Sequence, residues 1–250
     1  MSRKNLYRVL IVAGAIALLE ALCLMRVIDR VTMPPPHQIA IDLVRMLASG
    51  RMNGAIGRTL GNAALAFALA AAAGVALAAL LHGHPALRAT LDPLFATYYA
   101  VPVFAFYPFL IVVFGLGDLP QVLIGFMLGV VAVIVNTLNG LDRVPRVLRK
   151  AARVHGLSPA RQALSITLPY ATPHILTGVK LAVAYSLIGV VGSEFIMSRG
   201  GIGYEISFAY NNFDNATMYP LIVLILAISI AVNGALTAYE KRLLARRGRA

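Results

Sequence analysis

The chain has 250 residues, 59% of them hydrophobic and only 13% charged. That balance excludes an ordinary soluble domain and belongs to a polytopic membrane protein. The formal net charge of +12 comes without an RNA-binding or zinc-finger pattern, so nucleic acid is not the partner it implies. A lone cysteine, Cys23, rules out an intrachain disulfide framework and sits in an apolar run, as a buried inert thiol would.

A bilayer core of roughly 30 Å takes about 20 apolar residues of helix. Six segments meet that length: Tyr7–Val27, Ile56–Leu81, Leu94–Phe114, Gln121–Leu141, Ile175–Met197 and Met218–Tyr239. The first follows Arg3 and Lys4 as a signal peptide would. It is long, though, and lacks a small-residue cleavage site, so it reads as a retained span. Met33 and the three prolines 34–36 then break the chain. Ile39, Leu43, Val44 and Leu47 follow at helical spacing, in a piece too short to span that lies at the interface or packs on the bundle.

The second span is dense in alanine and glycine, and Gly125 and Gly129 in the fourth form a small-xxx-small pair. Such residues let helices approach closely in lipid, as ordinary bundle packing or as a sliding interface. The division expected is a tail and first span (1–30), an extracytoplasmic segment with the short amphipathic helix (31–55), a five-helix core (56–245) and a basic tail (246–250).

Between spans four and five lies a long basic stretch, residues 141–172. Placing the N-terminus, loop 82–92, residues 142–180 and the C-terminal tail on one side gives that side 16 basic and three acidic residues. The remainder then has six basic and seven acidic ones. The positive-inside rule puts the basic side, with both termini, in the cytoplasm. Within the stretch, Arg146–Val154 is composed of helix formers, with Val147, Leu148, Ala151 and Ala152 able to form one apolar strip. Gly156 suits a helix C-cap, and Ser158 followed by Pro159 suits the start of a second helix. Leu168-Pro169 and Pro173 are expected to end that helix before span five begins.

The run Lys150-Ala151-Ala152, three residues, Gly156, nine residues, Ile166-x-Leu168-Pro169 resembles the "EAA" loop of binding-protein-dependent ABC importer permeases. Leu91-Asp92-Pro93-Leu94, Val101-Pro102, Phe114-Gly115-Leu116-Gly117, Asn136-Thr137-x-x-Gly140 and Gly201-Ile202-Gly203-Tyr204 are similar to the nitrate/sulfonate/taurine-type branch, in the expected order. The resemblance covers about residues 30–245. It implies an all-α integral membrane protein of six transmembrane helices with a cytoplasmic coupling-helix loop, the MetI-like type I ABC permease fold.

It also implies contact with an ABC ATPase through Lys150, Ala151, Ala152, His155, Gly156, Leu157, Ile166, Leu168 and Pro169. Lys150 departs from the pattern, which has glutamate there. No Walker-type phosphate loop occurs, so the ATP and magnesium would belong to a separate subunit, and this chain would bind no cofactor or metal and hold no catalytic residue. A second permease subunit, an extracytoplasmic solute-binding protein and the lipid bilayer complete the implied partners. The solutes of that branch include small anions, and in such systems the binding protein carries most of the selectivity.

Polar groups at membrane depth are costly and so mark a candidate pathway. They are Asn136, Asn139, Tyr185, Ser193 and Glu194, with Ser186, Tyr98, Tyr99 and Tyr107 nearby. For each serine or tyrosine the simpler reading is a hydrogen bond between helices. Glu194 must pair or face water, and Arg58 and Arg199 are its candidate partners. A secondary transporter would usually show internal repeats and several intramembrane charges, and a membrane enzyme a cluster of His, Asp and Glu. The five scattered histidines, including His82-x-His84, make no such cluster.

Overall fold

The computed structural model describes residues 3–29, 31–196 and 198–246. Arg30, Met197 (the predicted end of span five) and residues 247–250 of the basic tail lie outside the described residues. All regular elements among the described residues are helical. They run α1 Arg3–Leu24, α2 Pro36–Ala48, α3 Asn53–Gly83, α4 Pro85–Thr97, α5 Tyr107–Phe114 and α6 Asp118–Asp142. Then come α7 Arg146–Val154, α8 Pro159–Gln162, α9 Leu168–Ile196, α10 Ile202–Asn211 and α11 Asn215–Arg246.

Five of these, α1, α3, α6, α9 and α11, are long and apolar enough to cross a membrane. The predicted third span is not one helix. α4 and α5 are joined through short 3₁₀ turns at Tyr98–Ala100 and Val103–Phe106 and are bent by 90°. Pro102 explains the break: it has no N–H to donate, and its ring drives Val101 out of the helical region, to φ −80° and ψ 125°. The predicted loop 82–92 is likewise mostly helical, because Pro85 opens α4 at a position where its missing N–H costs nothing.

A second expectation is reversed. Leu168-Pro169 and Pro173 do not end a helix; the chain stays helical from α8 into α9 through a π-helical turn at Ala163–Thr167. There the Leu168 N–H donates to the Ala163 carbonyl, five residues back. The hydroxyls of Thr172 and Thr177 donate to the carbonyls of Leu168 (2.7 Å) and Pro173 (3.1 Å). Local π turns and threonine hydroxyls are the means by which membrane helices accommodate proline.

The core is α6 wedged between α3 and α9. The alanine-rich α3 buries a stripe at helical spacing, Ala63, Ala66, Ala70, Gly74 and Ala78. Its Leu65, Leu69, Leu77 and Leu80 stay exposed, as lipid-facing side chains would. A Cβ on Gly125 would lie 2.9 Å from the Ala66 Cβ and from the Ser186 carbonyl; one on Gly189 would lie 2.7 Å from the Gly125 Cα. At those points the backbones themselves are in contact.

At the ends opposite the basic loop, Met52, Ile202, Ile206, Leu221 and Leu224 form a cluster that Leu43 and Met46 of α2 cover. The amphipathic piece therefore packs on the bundle, with Ile39 buried and Val44 and Leu47 exposed. α1 stands largely apart, tied to α2 by Glu20, which accepts from the His37 backbone N–H at 3.1 Å. Cys23 is buried.

Candidate functional site

Along the inner side of α6, between α4 and α9, lies a cavity of about 420 Å³. Asn136 and Asn139 from α6, Tyr185 from α9 and Tyr99 from the bend after α4 give it a polar lining, while Phe95, Val135, Leu138 and Leu181 supply apolar walls. Tyr99 stands in the broken backbone after α4, its ring centroid 5.6 Å from that of Tyr185. Irregular backbone at membrane depth is tolerated where it lines a cavity, which is its position here. Asn136 spends one amide hydrogen on the Ala132 carbonyl (2.8 Å). Its remaining amide hydrogen, Asn139 and the two tyrosine hydroxyls are further hydrogen-bonding groups on this wall.

Two charged residues, Arg88 and Asp92, line the end of this cavity nearer the basic loop. Arg88 makes a bidentate pair with Asp142, at 2.8 and 2.7 Å, and its Nε lies 3.5 Å from Asp92. His82, at the end of α3, approaches the same Asp142 at 3.4 Å. Nothing in the sequence brings positions 88 and 142 together. Both lie in stretches that the charge bias assigns to the same side, and the sequence gives no closer hint.

Ser193 and Glu194 stand apart from this cavity. Both are fully buried. The Ser193 hydroxyl donates to its own helix at the Val190 carbonyl (2.9 Å). Glu194 accepts from the Thr59 hydroxyl (2.8 Å) and from the Gly203 N–H (3.0 Å), while the Ile202 N–H donates to Thr59 (2.8 Å). It anchors the start of α10 and does not line the cavity with Asn136, Asn139 and Tyr185, and Thr59 is the partner that sequence reasoning missed. Gly201 precedes it at φ 102°, and a Cβ there would overlap the Glu194 carboxyl. Arg58 pairs with Asp118 instead (2.6 Å), and Arg199 is exposed. Ser186 and Tyr98 make bonds between elements, to the carbonyls of Gly125 (3.2 Å) and Met127 (2.9 Å), and Tyr107 is buried.

In the basic loop, α7 ends at Gly156, whose φ of 68° suits glycine. The Leu157 N–H reaches back to the Ala152 carbonyl (3.0 Å), a six-to-one closure of the Schellman kind. Ser158 caps α8 weakly, accepting from the Arg161 N–H at 3.4 Å. The expected single apolar strip is divided: Ala152 is buried, whereas Val147, Lys150, Ala151 and Val154 share one exposed face. His155 and Gly156 are exposed too, and Leu157, Ile166, Leu168 and Pro169 are half-buried. The Arg149 guanidinium donates to the Leu141 carbonyl (2.7 Å), tying α7 to the end of α6.

The family profile described as binding-protein-dependent transport system inner membrane component matches residues 70–245. The chain is 29% identical over 238 residues to a putative aliphatic sulfonates transport permease protein of Bacillus subtilis (strain 168), covering 95% of this chain and 84% of that one. It is 26% identical over 224 residues to the taurine transport system permease protein of Escherichia coli (strain K12), covering 88% and 82%. With a nitrate import permease protein of Leptolyngbya laminosa it shares 29% over 178 residues, 71% of this chain and 64% of the relative. A profile spanning more than half the chain, on an all-helical bundle with a capped basic loop, places this protein among the inner-membrane permease components of binding-protein-dependent ABC importers.

Proposed function

We propose that the chain forms half of a permease that imports a small organic or inorganic anion of the nitrate, sulfonate or taurine kind. The relatives' names support that substrate class. The lining of the cavity supports it too, since Tyr99, Tyr185, Asn136 and Asn139 can hydrogen-bond an oxyanion, and the charges at its end, Arg88 and Asp92, are already paired. The binding protein selects the solute outside, the paired permeases pass it through, and separate ATPase subunits supply the energy. Both termini and the loop from Arg143 to Thr172 face the cytoplasm.

The observation that carries the coupling role is the exposed α7 face. Val147 is 75% and Val154 85% exposed, on a helix end-capped by Gly156 and pinned behind by Ala152. Large apolar side chains held out on a polar loop mark an interaction surface, and the ATPase is the partner that this family supplies. α7 then passes ATP-driven movement to α6 through the short link from Asp142 to Pro145.

The test is uptake into proteoliposomes holding the permease and its ATPase, with binding protein and solute outside and ATP inside. Uptake is expected to need all the components and to fail with Gly156→Asp, which also loses the ATPase on purification. Uptake that continues without ATPase, driven by an ion gradient, would make the chain a secondary transporter and sink the proposal.

A further inference from the structure

We infer that α7 selects its ATPase by charge. Arg146 and Lys150 make a cationic edge beside the exposed valines, and the groove that receives α7 presents a carboxylate to that edge. This selection presupposes the coupling role proposed above and specifies what the partner must bring to it.

The arrangement follows from the helix. At about 100° per residue, Val147, Ala151 and Val154 form one ridge of α7, and Arg146 and Lys150, one turn apart, form the ridge beside it. All five are exposed. Arg149 lies nearly opposite the valines, where it donates to the Leu141 carbonyl at the end of α6 (2.7 Å). The valines therefore face away from the end of α6, with the two cations along their border.

Nothing in the chain neutralises that edge. From Arg143 to Ser193 the sequence holds no aspartate or glutamate. Asp142, the nearest acid in sequence, is gripped by Arg88 at 2.8 and 2.7 Å, and Lys180 is paired with Glu240 (2.7 Å). Among the described residues, the Arg146 and Lys150 side chains make neither a hydrogen bond nor an ion pair.

Both cations also work against the helix that carries them. Like charges four residues apart repel on a helix surface. A cation in the first turn opposes the helix dipole, and α7 has no acid there to offset Arg146. Helix stability alone would favour glutamate at either position. Anionic lipid headgroups would match the cations but leave Val147 and Val154, 75% and 85% exposed, in water. An apolar groove with an acid on one wall meets both ridges at once.

The test measures binding of the ATPase from the same transport system to the full-length permease in nanodiscs, beside the thermal stability of the permease alone. Lys150→Glu is expected to weaken binding at least about tenfold and Arg146→Glu several-fold. The stability of either variant should equal or exceed that of the wild type. Lys150→Arg should bind as the wild type does, and added salt should weaken the wild type more than Lys150→Ala. Reversal of the ATPase's surface carboxylates to lysine, one at a time, should find one that restores binding to Lys150→Glu, a rescue that a merely structural role would not give. Undiminished binding of Lys150→Glu would overturn selection by charge, and so would a loss accompanied by a fall in stability, which marks damage to α7. A loss seen in phosphatidylglycerol nanodiscs but not in phosphatidylcholine would assign the edge to lipid instead. If Gly156→Asp releases the ATPase and Lys150→Glu does not, selection by charge alone fails; if neither releases it, the coupling role fails with it.

Discussion

A carboxylate with no exposed surface inside a membrane span is costly unless donors meet it. Glu194 meets two, the Thr59 hydroxyl and the Gly203 N–H, and Thr59 in turn receives the Ile202 N–H. Three segments distant in sequence, around Thr59, Glu194 and Gly201–Gly203, are thereby locked together. Glu194→Leu leaves the Thr59 hydroxyl and an N–H of the first turn of α10 without their acceptor, and each such loss costs about 1–3 kcal/mol. Thermal unfolding in detergent should show a clear drop for Glu194→Leu and Thr59→Val, and a smaller one for Glu194→Gln, which keeps one acceptor oxygen. Equal stability of all three would remove the anchoring role.

Gly156 poses the opposite case, since a Cβ there meets nothing within 4 Å. Its substitution tests backbone conformation alone. The left-handed region costs an ordinary residue about 1–2 kcal/mol, and asparagine less. Retention of the ATPase should therefore fall in the order Gly156, Gly156→Asn, Gly156→Ala, Gly156→Val. A ranking by side-chain volume alone, with Gly156→Ala above Gly156→Asn, would point to steric contact with the partner instead.

Among the elements, α6 and α9 approach so closely at Gly125 and Gly189 that no side chain fits between them there. Gly189→Val would drive a branched side chain into the Gly125 backbone, whereas Gly61, with open space where a Cβ would be, faces outward from α3. Overpacking costs about 1–3 kcal/mol where neighbours can shift, and backbone against backbone leaves little to shift. Gly189→Val is expected to abolish accumulation of the protein in membranes, and Gly61→Val to leave it near wild type, as a blot of membrane fractions would show. Similar accumulation of the two would contradict the α6–α9 contact.

Close packing was legible in the composition of α3 and in the spacing of Gly125 and Gly129. Which helix each stripe meets was not, because small-residue spacing carries no address. Proline was misread at both places. Pro102 bends by 90° a segment expected to be one span. Pro173 sits inside α9 without ending it, because a π turn upstream and the Thr172 and Thr177 hydroxyls absorb its effects. Those compensations are tertiary and local details that a hydrophobic pattern does not encode.

In the whole molecule, polar groups gather at the two ends of the bundle. Away from the basic loop, Asp118 accepts from Arg58 (2.6 Å) and Asn62 (2.8 Å), and Gln121 binds Asn62 and Ser198. Near the basic loop, Arg88, Asp92, His82 and Asp142 converge. The cavity-lining Tyr99, Tyr185, Asn136 and Asn139 lie between. Asn136, Asn139 and Tyr185 could be picked from the sequence as polar residues at membrane depth, and the structure places them on one cavity. Arg88 and Thr59 could not, because their partners lie 54 and 135 residues away.

The orientation proposed above rests on the lysine and arginine bias rather than on the fold. With the basic loop in the cytoplasm, the turn after α10 must face outward. Cys23 is buried and gives little background to thiol labelling, so single cysteines at Arg161 and Asn212, both exposed, can report sidedness. An impermeant maleimide added to intact spheroplasts should label Asn212→Cys and reach Arg161→Cys only after the membrane is opened. The reverse pattern would put α7 outside, out of reach of any ATP-hydrolysing partner. It would remove the coupling role.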